Sequence, residues 1–198
     1  MKLLVFSDLH SNKVKLKKLI SKIKKEKPDL VINAGDTSDF GDDFKKIAKE
    51  FKKTKIPMLI IPGNHESPKE IKEVSDNKTI INLHKKSFTL DNTIFFGYGT
   101  GGFAKREEEF ELISKKFRKT IKKDSKIVLI THGPPYRTKV DLLPRIGHRG
   151  CFSYTHFLKM AKPVLHVCGH FHETQGVKDK FDKTLIINPG PDGVILKI

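Results

Sequence analysis

The sequence predicts an α/β fold built on a mostly parallel sheet, and three observations carry that prediction. First, β-rich apolar runs (LLVFS, LVINA, MLIIP, IVLI and VLHVC) recur along the chain. Second, lysine-rich segments lie between the first of them, with Leu, Ile or Phe returning at three- and four-residue intervals, the pattern of amphipathic helices. Third, strand and helix alternate through the first third as βαβαβ, and such units form right-handed crossovers in parallel sheets.

A strand near residues 2–8 leads to a helix near 12–26, whose end is marked by Pro28. A strand at 30–35 passes through the Asp-rich loop DTSDFGDD to a helix near 43–53. A strand at 58–62 precedes a short helix near 68–74, with Ser67 as cap and Pro68 as first residue. TIINL, KKSFTL and NTIFFGYG read as short strands, with Asp91-Asn92 turning between the last two. A polar helix near 105–122 follows, then the strands KIVLIT and PVLHVCG, separated by a loop and a short helix beginning near Ser153. TLIINPG and GVILKI close the chain as a hairpin around Gly190-Pro191-Asp192-Gly193.

At 198 residues the chain suits one domain, 1–198, and no linker, repeat or low-complexity tract divides it. No apolar stretch is long enough to span a bilayer, so no membrane partner is expected. Met1-Lys2 runs straight into LLVFSDLH, too short for a signal-peptide core, which points to the cytoplasm. Cys151 and Cys168 have no CxxC spacing; reduced, partly buried thiols are expected rather than a disulfide framework. The formal charge of +16 could attract an anionic partner. Its surplus, however, is lysine filling the outer faces of KVKLKKLISKIKKEK, FKKIAKEFKKTK and ISKKFRKTIKKD, the pattern of solvated helices. Non-specific attraction of nucleic acid to this basic surface is the remaining reading.

Five short blocks each put polar, metal-ligating side chains just past an apolar run. They are Asp8-Leu9-His10, Gly35-Asp36, Gly63-Asn64-His65-Glu66, Thr131-His132-Gly133 and Gly169-His170-Phe171-His172. Carboxylate, amide oxygen and imidazole at several strand ends are what a two-metal hydrolytic centre requires. Asp8 and His10 are two apart, as are His170 and His172; in extended backbone each pair would point to one side. Gly35 and Gly63 precede ligands and suit sharp turns. Taken singly each block is weak, because Asp-x-His and Gly-Asp are common at surfaces and turns. Their joint order is the signal.

That order and spelling resemble the calcineurin-like metallophosphoesterases, from Asp8 to His172. HGPP, then GHRGC, GHFHE and INPGP, resemble its small phosphodiesterase-like branch, MPPED-like proteins and similar archaeal phosphoesterases. The resemblance implies a four-layer α/β/β/α sandwich of two mixed sheets flanked by helices. It implies two divalent ions, one held by Asp8, His10, Asp36 and His172, the other by Asp36, Asn64, His132 and His170, with Asp36 bridging. Manganese, iron, nickel, cobalt and zinc all suit such nitrogen and oxygen donors. It further implies a metal-activated hydroxide attacking phosphorus, with His65 as proton donor and transition-state contact and Asn64 also touching substrate. Glu66 and Asp39 are expected to orient ligands. In the long loop 132–151, His148 and Arg149 are expected to contact the substrate phosphate or its leaving group. His166 is expected to be buried for structure. His84 and His156 are assigned no role.

The function expected is a phosphodiesterase acting on small nucleotide or model diesters. A phosphomonoesterase is the closest rival, since one centre serves both ester types. A nuclease of the same superfamily fits the charge, but the chain is short for an added DNA-binding domain. A non-catalytic scaffold of this fold would have lost ligands that are all present here.

Overall fold

In the computed structural model, which describes residues 1–41, 43–122 and 124–198, two large mixed sheets lie face to face between layers of helices. Asp42 of the Asp-rich loop and Lys123 of the third lysine run lie outside the described residues. The first half comprises β1 Lys2–Phe6, α1 Lys13–Glu26, β2 Leu30–Asn33, α2 Phe44–Lys53, β3 Met58–Ile60, α3 Pro68–Val74 and β4 Ile80–Asn82. Next come β5 Lys86–Leu90, β6 Thr93–Tyr98, α4 Glu108–Arg118 and β7 Lys126–Thr131. The remainder holds β8 Leu142–Leu143, β9 Gly147–His148, α5 Phe152–Ala161, β10 Leu165–Val167, β11 Lys178–Phe181, β12 Thr184–Ile187 and β13 Val194–Lys197.

One sheet runs β13-β1-β2-β3-β4 and the other β11-β12-β10-β7-β6-β5, while β8 and β9 pair alone. Strands β1 to β4 are mutually parallel, as are β6, β7, β10 and β12; β13, β5 and β11 add antiparallel edges.

Side-chain alternation explains the layers. Leu4 and Phe6 pack outward with Leu19, Ile23 and Phe51 of α1 and α2, whereas Leu3 and Val5 face Val128, Ile130 and Val167 of the other sheet. In β7, Ile127 and Leu129 turn the other way, onto Phe117 of α4 and Phe157 of α5. Central strands are therefore apolar on both faces, as covered parallel strands must be.

Local signals hold at several helix ends. Asn12 accepts from the Lys15 amide at the start of α1, and Lys27 ends that helix in left-handed backbone just before Pro28. Ser67 and Glu70 form a reciprocal capping box with Pro68 opening α3. Cys151 and Cys168 are buried free thiols. Among the described residues no helix is long and apolar enough to cross a membrane.

Two expectations need correction. The polar helix is shorter than 105–122, running Glu108–Arg118. The chain's last two strands are no hairpin: β12 sits between β10 and β11, and β13 pairs with β1 in the opposite sheet. Both edges of β12 are already taken, whereas β1 has an edge whose ladder groups need a partner. The Gly190–Gly193 link therefore crosses between sheets instead of folding back. The hairpin partner of β12 is β11, KDKF, which has no apolar run to announce it.

Candidate metal centre

The ligand residues of all five blocks lie beyond the carboxyl ends of their strands: after β1, β2 and β3 in one sheet, and after β7 and β10 in the other. Facing sheets thus deliver ligands to one edge from two sides. The loops are stitched by main-chain bonds, Asp8 N to Gly35 O at 3.0 Å, His10 N to Asp36 O at 3.1 Å and Gly169 N to His132 O at 2.8 Å.

The side chains converge in three overlapping groups. Asp8, His10 and His172 form one; His10, Asp36 and His65 another; Asp36, His132 and His170 the third. Asn64 joins the third, its Oδ1 lying 3.0 Å from both His132 Nε2 and His170 Nδ1. Asp36 is common to two groups, with Oδ2 at 3.2 Å from His132 Nε2 and 3.7 Å from His10 Nε2. All seven sequence-predicted ligands and His65 are therefore brought together.

The ligand pairs are not extended. Asp8, His10, Asp36 and His170 have φ of 54°, 46°, 51° and 71°, in left-handed backbone that non-glycine residues avoid. The two-residue parity expected of the Asp-x-His and His-x-His pairs does not apply, and His170 and His172 instead turn to different groups. Strain of this kind, on the order of 1–3 kcal/mol per residue, persists only where surroundings enforce it, and it gathers at functional sites. Gly63 has a separate reason: a Cβ there would fall 1.9 Å from Asp36 Oδ1.

The donor chemistry fits divalent cations. Ala34 O only accepts, so His132 Nδ1, 2.9 Å away, carries a hydrogen and leaves Nε2 as the donor atom. Asp39 likewise takes His10 Nδ1 at 2.9 Å, leaving Nε2 facing His172 Nε2 at 3.1 Å. Nε2 of each ring is thereby aimed at Asp36 or His172, a crowd of donor atoms that calls for a proton or a cation between them. Electrostatics agree. Burial disfavours the charge on His132, but the bond and charge of Asp36 prevail and lift its pKa to about 9. Burial also pushes Asp36 up, yet His132 and His65 hold it at about 2. For His170 the balance reverses: burial, then the neighbouring His132, outweighs Asp36 and lowers it to about 4.

Glu66 braces the centre from below. Its buried carboxylate accepts from the amides of Asp36 (3.1 Å), Ser38 (2.7 Å) and Gly63 (3.2 Å) and from Ser38 Oγ (3.1 Å). Glu66→Ala strands three buried amides besides the Ser38 hydroxyl, and at about 1–3 kcal/mol for each unsatisfied amide we expect a loss of roughly 3–5 kcal/mol. Urea unfolding of the metal-free variant measures it; a change under about 1 kcal/mol would show that water replaces the carboxylate. Asp39 holds His10 and reaches His65 Nδ1 at 3.6 Å. Asn188, in the INPG segment, supports the other sheet's ligands by donating to Phe171 O at 2.8 Å.

His148 and Arg149 stand apart from these groups, and no bond joins either side chain to them among the described residues. His148 Nδ1 bonds instead to buried Asp141 at 2.8 Å, which also takes the amides of Arg137, Thr138 and Gly150 and so organises the long loop. His166 is fully buried on β10, and His84 accepts from the Gly99 amide at 3.0 Å. Two residues were invisible in the sequence: Phe40 stacks on His65 with centroids 4.2 Å apart, and Phe103 meets His170 edge-on at 4.4 Å. Only the glycine run before Phe103 hinted at a close approach.

The sequence model of the calcineurin-like phosphoesterase family matches residues 1–174. The Methanocaldococcus jannaschii protein MJ1162 is 28% identical over 200 residues, covering 96% of this chain and 88% of that protein. A Fibrobacter succinogenes protein named "Probable cyclic nucleotide phosphodiesterase" is 28% identical over 170 residues, 81% of this chain and 64% of its own length. The crystal structure of the Thermus thermophilus protein TT1561 superposes with a TM-score of 0.76 at 16% identity, covering 96% of this chain and 90% of that one. That last likeness is one of fold.

Proposed function

This chain belongs to the calcineurin-like phosphoesterase family, and from that membership and the centre's geometry we propose that it is a metal-dependent phosphodiesterase of small nucleotide or model diesters. One observation carries the reading: three donor groups from two sheets interlock, and Asp36 is shared between two of them. Asp8, His10, Asp36 and His172 would hold one divalent ion, and Asp36, Asn64, His132 and His170 a second. When bound, such ions supply Lewis acidity and positive charge for a phosphoryl group. A relative named as a cyclic nucleotide phosphodiesterase supports a diester substrate.

The chain's own groups do the rest. Asp39 and Ala34 O fix the imidazoles of His10 and His132 so that Nε2 faces inward. His65 lies with Nδ1 on the Asp39 side, so Nε2 is the nitrogen that hands a proton to the leaving oxygen. Asn64 contributes a neutral amide oxygen and touches the ester. His148, held by Asp141 and half-exposed, and Arg149 contact the substrate from the long loop. An unchanged kcat/KM in His148→Ala removes that residue from the role.

The deciding experiment is a substrate panel after chelation and reconstitution with manganese, iron, nickel, cobalt or zinc. It compares bis- and mono-p-nitrophenyl phosphate, 2′,3′- and 3′,5′-cyclic nucleotides, and DNA. We expect diester cleavage that chelation abolishes and metal restores, with little monoester cleavage. Rapid attack on DNA ends, or a monoester preference, would replace this reading with the corresponding one.

A further inference from the structure

Two exposed phenyl rings stand at the centre, each against an imidazole of a ligand-bearing loop. Phe40 is 79% exposed and Phe103 76% exposed, the two most exposed aromatic side chains among the described residues. Each touches one imidazole of the centre: Phe40 lies over His65 at an interplanar angle of 29°, and Phe103 stands edge-on to His170 at 85°. His65 groups with His10 and Asp36, and His170 groups with Asp36 and His132, so each ring rests on an imidazole grouped with the shared aspartate.

Their placement is enforced against local preference. Phe40 has a φ of 48°, a left-handed conformation that is a genuine outlier for a bulky side chain. Phe103 follows Thr100, Gly101 and Gly102 at φ of 72°, 70° and 112°, and a Cβ on Gly102 would lie 2.8 Å from the His170 ring. Glycine is thus what lets this loop close onto His170 and set Phe103 at the rim. Exposed apolar rings held by strained backbone, beside the imidazoles of the centre, are placed to meet something apolar and flat.

We propose that Phe40 and Phe103 are substrate-positioning residues, the two walls of a subsite for a planar aromatic group carried beside the scissile phosphate. The proposal rests on the phosphoesterase reading and adds a substrate class, nucleotides and aryl esters over aliphatic diesters. Stacking on a phenyl face recognises any base without reading its edges, so the subsite selects for aromaticity and not for one base.

Equilibrium binding and kinetics test it in the metal-reconstituted protein. Calorimetry compares adenosine monophosphate with glycerol 3-phosphate, which share the phosphate and differ in the ring. The wild type is expected to bind the nucleotide about tenfold more tightly, the worth of one good stacking contact. Phe40→Ala and Phe103→Ala each reduce that ratio, and the double variant brings it close to one. KM for bis-p-nitrophenyl phosphate rises about tenfold in the double variant while kcat stays within about twofold, and KM for glycerophosphocholine hardly moves. Phe→Tyr variants keep the ratio. Phe→Leu variants, which still cover the imidazoles but lack a π-face, lose it. Equal affinities in the wild type, an unchanged ratio in the double variant, or an equal rise in KM for the aliphatic diester would overturn the proposal. A wild type that retains the nucleotide preference but cleaves no phosphoester overturns the phosphoesterase reading instead.

Discussion

Asp36→Asn is expected to lower kcat for diester hydrolysis by about a thousandfold, the several kcal/mol that charge stabilisation at a metal centre provides. The substitution keeps the side chain's size and the bond its Oδ1 accepts from the His65 amide at 2.9 Å. What it removes is the negative charge that two donor groups share. The same charge lifts His132 to about 9 against burial, which shows how strongly this position attracts a cation. Metal content should fall in parallel, from about two ions per chain to one or fewer, as elemental analysis would record. A variant that retains both ions and most of its rate would mean that the ions do not meet at Asp36.

Acidification is expected to weaken the fold through a histidine outside the metal centre. His166 is fully buried on β10 and its pKa is pushed down to about 3 by burial. Thr131 Oγ1 donates to Gly133 O at 2.6 Å and so accepts from His166 Nε2 at 2.7 Å, leaving Nδ1 without a hydrogen-bond partner among the described residues. A second proton would have to enter there, at a fully buried position. The folded state resists it and the unfolded chain accepts it from pH 6.5 downward, so stability falls as pH drops from about 6.5 toward 3. By pH 4 the loss is roughly 3 kcal/mol from this residue. His84, lowered to about 4 by burial and then Lys85, acts in the same direction. His166→Leu removes the ionisable group and leaves the Thr131 to Gly133 bond intact. The difference in unfolding free energy between wild type and variant should shift by roughly 3 kcal/mol between pH 7 and 4. No shift would mean that the imidazole ionises freely within the fold.

The ligand blocks were legible because each obeys a local rule: an apolar strand ends, and a polar side chain able to bind metal follows at once. Ser67 with Pro68 opening α3 was legible for the same reason, since a cap is satisfied by residues within one turn. Glu66 stood beside Gly63 and Asn64 in sequence, yet its grip on Asp36 and Ser38, on a loop from another strand, shows only in three dimensions. Asp141 was passed over altogether, because an acid in a basic loop looks solvated until the loop closes around it.

By itself the sequence determined the strand–helix order, the apolar runs that become central strands, and the residues able to hold cations. Those are properties of composition and spacing within a few neighbours. Tertiary structure decided which sheet each late strand joined, because pairing goes to whichever edge still has open amides and carbonyls. It also decided that Asp8, His10, Asp36 and His170 would stand in left-handed backbone, since only long-range packing can hold such strain. The two phenyl rings at the rim belong to that second class: their meaning lies in what they face, and no local pattern encodes it.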